Sequence, residues 1–265
     1  SDEVSPPRER SKTLLNERRR WTDLVGTMSV ELMKPFSLTY VRYPGDDPLG
    51  AAMALASLMP FCVIVATFGA FFARRELWDV GTLLGILANE VLAQTLKRVF
   101  QQPRPASCAL VDFCGTHGMP SSHAQLAWFV AAVAVLAYRR RRDAHPASTR
   151  VVDAFGALLV AAHVPMAIAV TASRVYLGYH SAEQVAAGAM VGAAAGAAWH
   201  FAAMVPASRA FAAGPPGSLP AVAGRLLGMR DSSLVANPEE VARKHLAAQT
   251  AAPAGTRERK SARAR

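Results

Sequence analysis

The chain has 265 residues, 52% of them hydrophobic and only 18% charged, where soluble domains carry roughly 25% charge. Its 29 Lys and Arg outnumber its 19 Asp and Glu, for a formal charge of +10. The apolar content excludes a disordered middle, and three cysteines, Cys62, Cys108 and Cys114, exclude a disulfide framework. The basic residues fall between and outside long apolar runs, the pattern of a membrane protein and not of a nucleic-acid footprint.

Residues 1–35 are polar and mixed in charge, with no apolar core following a basic start. This is unlike a secretory signal, and a loose extension or a short surface helix is expected there. Gly50 to Ala73 is the first apolar run, 24 positions without a charge, more than the roughly 20 needed to cross a bilayer. Arg74 and Arg75 end it. Leu77 to Leu96 is the second run, and its Asp79, Asn89, Glu90 and Gln94 require an interior-facing side. Residues 97–123 read as a loop too polar to span. Ala124 to Tyr138 has only 15 residues but can cross if Ser121 to His123 form its first turn, and Arg139 to Arg142 close it. Val151 to Ala172 is the fourth run. Gln184 to Val205 is the fifth, with Gly188, Gly192 and Gly196 spaced to let helices approach closely.

The predicted fold class is all-α: a polytopic transmembrane bundle of about five spans. A membrane domain is expected over 36–205, and a basic tail over 206–265, cytoplasmic and partly disordered. The positive-inside rule places Arg74, Arg75 and Arg139 to Arg142 on the cytoplasmic side. The 97–123 and 173–183 loops then share the opposite face.

That face gathers a distinctive set of groups. Lys97 is followed by Arg104-Pro105; Pro120-Ser121-Ser122-His123 enters the third span; Ser173-Arg174 is followed by His180. Helix N-termini bind anions through unpaired amides. Arg offers a planar fork to phosphate and Lys a point charge. Two histidines divide phosphoryl transfer: one attacks phosphorus as a neutral nucleophile, and the other protonates the departing oxygen.

In order and spacing, these three motifs resemble the signatures of the type 2 phosphatidic acid phosphatase (PAP2) superfamily. Stretches 36–44, 75–77, 89–90, 101–105, 118–123, 173–177 and 230–234 are similar to its dolichyl-diphosphatase branch. The resemblance implies a PAP2-like bundle in the endoplasmic reticulum membrane with a lumenal site. Its substrate would be a polyprenyl (dolichyl) diphosphate lipid, hydrolysed to the monophosphate in recycling the carrier for N-glycosylation. It further implies His180 as nucleophile, His123 as general acid, and Lys97, Arg104 and Arg174 as phosphate ligands, with Ser121 and Ser122 cradling the phosphate. Gln184 stands where the wider superfamily has an Asp that orients the nucleophile; the dolichyl branch also carries Gln there.

No His, Cys and carboxylate set has metal-ligand spacing, so no metal or other cofactor is expected, nor a nucleic-acid partner. Cys108 and Cys114 share one loop, compatible with a disulfide or with two free thiols. His163 and His200, inside the fourth and fifth spans, read as packed histidines bonded to carbonyls. His117 reads as a solvated loop residue, and Glu90 as a group with a structural partner in the bundle. The rival readings are another lipid phosphate phosphatase, acting on phosphatidate or a different polyprenyl diphosphate, and an inactive membrane scaffold.

Overall fold

The computed structural model describes residues 33–36, 41–112, 114–144, 150–213, 222, 224 and 226–233. Most of the 1–35 extension, and the tail beyond 233, lie outside them. Two short strands, β1 (Met33–Phe36) and β2 (Val41–Pro44), pair antiparallel with Phe36 opposite Val41, the one small sheet among the described residues of an otherwise helical, all-α fold. Helices follow: α1 (Pro48–Ser57), α2 (Met59–Arg74), α3 (Leu77–Phe100), α4 (Ser122–Ala144), α5 (Arg150–Tyr176), α6 (Ala182–Trp199) and α7 (Val205–Ala213). A π-helical turn over His200–Met204 joins α6 to α7. Helix therefore covers every expected span and continues past residue 205.

The helices wear their apolar side outward. On α2, Phe61, Val65, Phe68 and Phe72 are exposed, and on α3, Leu84, Leu87 and Val91, at the three- and four-residue spacing of one helical face. The opposite face of α3 buries Asp79, Ile86, Asn89, Ala93 and Lys97. A polar interior behind an apolar skin is stable only where the surrounding solvent is lipid. The stretches 48–74, 156–176 and 182–211 are long and apolar enough to cross a membrane. Helices α3 and α4, of 24 and 23 residues, are long enough but carry the inward polar groups and the basic end.

The core of the bundle is the α4–α6 seam. A Cβ at Gly196 would stand 2.6 Å from the Phe129 carbonyl oxygen, and Cβ atoms at Gly188 and Gly192 would press on the carbonyls of Ser121 and Gln125. The expected glycine spacing therefore brings two backbones together.

One expectation needs correction. Lys97, Ser173 and Arg174, expected in loops, lie in the last turns of α3 and α5. An apolar window ends at the first polar residue, whereas the helix continues because that residue faces protein. Glu90, expected to have a structural partner in the bundle, has one on its own helix: it is exposed and accepts from Gln94 one turn on, at 2.6 Å.

Candidate active site

One end of the bundle is built by the ends of α3 and α5, the starts of α4 and α6, and the loop 101–121. Within that loop Cys108 and Cys114 form a disulfide, with Cα atoms 5.2 Å apart. Gly178, at φ 77°, turns the chain after α5 in a conformation that favours glycine. The Arg174 carbonyl then accepts from the amides of both Tyr179 and His180, at 3.0 and 3.1 Å. Ser107 Oγ donates to the Gly178 carbonyl at 2.9 Å and ties the two loops together.

These elements enclose a cavity of about 440 Å³ whose lining includes Lys97, Arg104, Ser122, His123, Arg174 and His180. Six of the residues singled out in the sequence thus converge, from three separate stretches of the chain. Ser121 does not line it. It is fully buried, its amide donates to the Gln184 carbonyl at 3.0 Å, and its Oγ has no hydrogen-bond partner. Helix α4 begins at Ser122, which leaves the unpaired amides of its first turn at the cavity.

His180 is 3% exposed and held from both sides. Its Nε2 lies 3.0 Å from Arg104 Nη1 and its Nδ1 lies 3.0 Å from Gln184 Oε1. A guanidinium can only donate, so Nε2 is the bare nitrogen and Nδ1 carries the hydrogen. The Gln184 amide is oriented in turn: its Nε2 donates to the Pro103 carbonyl at 2.8 Å and to Gln102 Oε1 at 3.1 Å. Gln184 also completes a capping box with Ser181 at the start of α6. Any side chain at Gly118 would collide with the Gln184 amide. Burial, then Arg104 and Arg174, push the His180 imidazole down to about 3, only partly opposed by the bond to Gln184. His180 is therefore neutral at physiological pH.

The cations are fixed by neutral groups. Arg104 also donates to the Tyr179 carbonyl at 2.7 Å and to Thr116. Lys97 Nζ donates to the His117 carbonyl at 3.3 Å. Arg174 stacks over the Tyr179 ring, 4.0 Å from its centroid, and donates to Ser57 Oγ. Asp112 is the one carboxylate in the lining among the described residues, 77% exposed and 3.7 Å from Arg42. Three cations around a hollow without a matching buried carboxylate make a receptor for a multiply charged anion.

Ser57 and Tyr179 were not singled out from sequence. Tyr179 adjoins His180, but Ser57 sits inside an apolar run that carries no signal of its role. Among the other histidines, His117 is exposed and contributes only its carbonyl. His200 lies away from the cavity, packed against Trp78 and Phe201 with Nδ1 unbonded, and not held by a carbonyl there.

Residues 78–206 match the PAP2 superfamily. The chain is 33% identical over 172 residues to a protein named lipid phosphate phosphatase gamma from Arabidopsis thaliana, covering 63% of this chain and 72% of that relative. It is 35% identical over 168 residues to dolichyldiphosphatase 1 of Homo sapiens, covering 63% and 70%. To the dolichyldiphosphatase of Saccharomyces cerevisiae it is 33% identical over 172 residues, covering 63% and 69%. No solved structure matches the chain.

Proposed function

Because the chain belongs to the PAP2 superfamily, a membrane hydrolase of phosphate-ester or diphosphate bonds, we propose that it converts dolichyl diphosphate to dolichyl phosphate and inorganic phosphate through a phosphohistidine on His180. The observation that carries this reading is the state of His180: neutral, with its bare Nε2 turned toward the cation cluster.

In this mechanism the terminal phosphate enters between Lys97, Arg104 and Arg174 and the first turn of α4. Its oxygens draw Arg104 Nη1 away from Nε2, which frees the lone pair. Nε2 attacks the terminal phosphorus as the bond to the bridging oxygen breaks. His123 gives that oxygen its proton, and the lipid monophosphate departs. Water, deprotonated by His123, then cleaves the phosphorus–nitrogen bond, releasing inorganic phosphate and restoring both imidazoles. Gln184 keeps the hydrogen on Nδ1 throughout. Metal chemistry has no part in these steps.

A lipid substrate suits the cavity because Phe61, in its lining, is 59% exposed on the apolar surface of α2. A polyprenyl tail can therefore stay in the bilayer while its head group reacts. In this reading the site faces the lumen of the endoplasmic reticulum, where it would return the carrier for protein N-glycosylation. The similarity to proteins named dolichyldiphosphatase favours the diphosphate over phosphatidate. The test is phosphate release in detergent with chelator, comparing dolichyl diphosphate, dolichyl phosphate and phosphatidate. Dolichyl diphosphate is expected to be hydrolysed fastest, with His180→Ala inactive and yielding no trapped phosphoenzyme. Substantial activity in His180→Ala overturns the nucleophile, and a preference for phosphatidate overturns the substrate.

A further inference from the structure

The opposite end of the bundle contains a second cavity, of about 450 Å³, between α2, α3, α4, α5 and residues Ser232 and Ser233. Trp78, Asp79 and Arg140 line it, and each keeps one buried polar atom without a hydrogen-bond partner: the indole Nε1, Oδ2 and Nη1. Two donors and one acceptor left buried together imply a ligand with complementary groups, because an unmade buried hydrogen bond costs about 1–3 kcal/mol. Arg140 is held in place by a bond from Nη2 to Ser208 Oγ at 3.3 Å and by the Trp78 ring, 5.5 Å away.

The charges of the lining do not cancel one another evenly. Asp79 is paired with Arg74 at 2.7 Å and Glu76 with Arg230 at 2.8 Å. Arg140 reaches Asp231 only through the Ser208 hydroxyl, and among the described residues no ion pair joins Arg141 to a carboxylate. Below this charged rim the wall is apolar, through Val63, Val130, Val133 and Ala137. Val63 to Arg74 is eleven residues along α2, or about 16 Å, close to one leaflet of a hydrocarbon core of roughly 30 Å.

We propose that this cavity is a binding site for an anionic glycerophospholipid with a hydroxylated head group, taken from the leaflet opposite the active site. Its phosphate accepts from Arg140 Nη1, Arg141 and Trp78 Nε1, a head-group hydroxyl donates to Asp79 Oδ2, and one acyl chain follows the apolar wall. Lys97 and Trp78 are 19 residues apart on α3, about 28 Å, so this lipid is not the substrate.

Native mass spectrometry of the full chain in detergent, titrated with phosphatidylglycerol, tests the assignment. One lipid is expected to be retained, with phosphatidylcholine, diacylglycerol and inorganic phosphate unable to displace it. Arg141→Gln is expected to weaken retention about tenfold. Ala137→Trp, which fills the wall and leaves every charge in place, should weaken it at least as much, and His180→Ala should bind as wild type. Retention at the wild-type level in Arg141→Gln or in Ala137→Trp, or equal binding of phosphatidylcholine, overturns the site. Loss of binding in His180→Ala would place the lipid in the catalytic cavity and overturn it as well.

Discussion

Gln184→Glu is an isosteric change that tests how the site keeps His180, the proposed nucleophile, neutral. In the native protein an amide oxygen 3.0 Å from His180 Nδ1 accepts the imidazole hydrogen without charge, and the histidine titrates at about 3. A carboxylate there would place a negative charge about 4 Å from the centre of an imidazolium, worth about 4 kcal/mol at an effective dielectric of 20. At 1.36 kcal/mol per unit that raises the histidine by about three units, to about 6. A raised pKa means the neutral nucleophile is lost as pH falls through 6, whereas the native enzyme keeps it throughout the mildly acidic range. The assay is kcat/KM for a short-chain polyprenyl diphosphate in detergent, from pH 4.5 to 9, for both proteins. Ionisation of the substrate is common to both, so the displacement between their acid limbs isolates the enzyme group. Gln184→Glu should also melt earlier, because the Pro103 carbonyl and Gln102 lose their donor. Acid limbs that superimpose would refute the reasoning, since Gln184 would then not touch the group that titrates.

Three other outcomes are expected. His123→Ala should lose far less activity on an aryl phosphate with a good leaving group than on dolichyl diphosphate; an equal deficit on both would remove its role as proton donor. Gly192→Val forces a branched side chain onto the Gln125 carbonyl and should cost about 1–3 kcal/mol of stability, read as an earlier thermal transition in detergent. Reporters inserted near Gly115 and after Arg142 should report opposite sides of the membrane, and the same side for both would refute the odd number of crossings between them.

Much of the site was legible in the sequence because its chemistry admits few residue types. Lys97, Arg104, His123, Arg174 and His180 stand at spacings that bring cations and imidazoles to helix ends, and the structure gathers them around one cavity. Gln184 was legible twice over, four residues after His180 and three after Ser181, where a capping box needs a Gln or Glu. Ser57 was not legible, because nothing within Gly50 to Ala73 distinguishes a serine facing Arg174 from one tolerated in a helix. Neither was the work of residues 229–233. Arg230 pairs with Glu76 across 154 positions, and its carbonyl accepts from the Leu77 amide at 2.8 Å, contacts that only the folded chain brings about. Helix ends were misread at Lys97, Ser173 and Arg174, since hydropathy measures contact with lipid while helix formation continues wherever backbone groups must be bonded.

His123 stands one residue inside α4, and His180 two residues before α6, so the line between the two imidazoles is set by how those helices lie against each other. Their spacing is fixed at the site, where the Ser121 amide meets the Gln184 carbonyl and Gly188 packs on Ser121, and again within the membrane, where Gly192 and Gly196 leave nothing between one backbone and the next. Gly192 is twelve residues from His180, about 18 Å along the axis, and a wedge there turns the helix pair as a lever turns about its fulcrum. A displacement of about 1 Å at the reacting atoms is enough for a hundredfold loss of rate. The tolerance of this enzyme is therefore held in part by residues that have no side chain, and a single methyl group deep in the bilayer would detune a reaction it never touches.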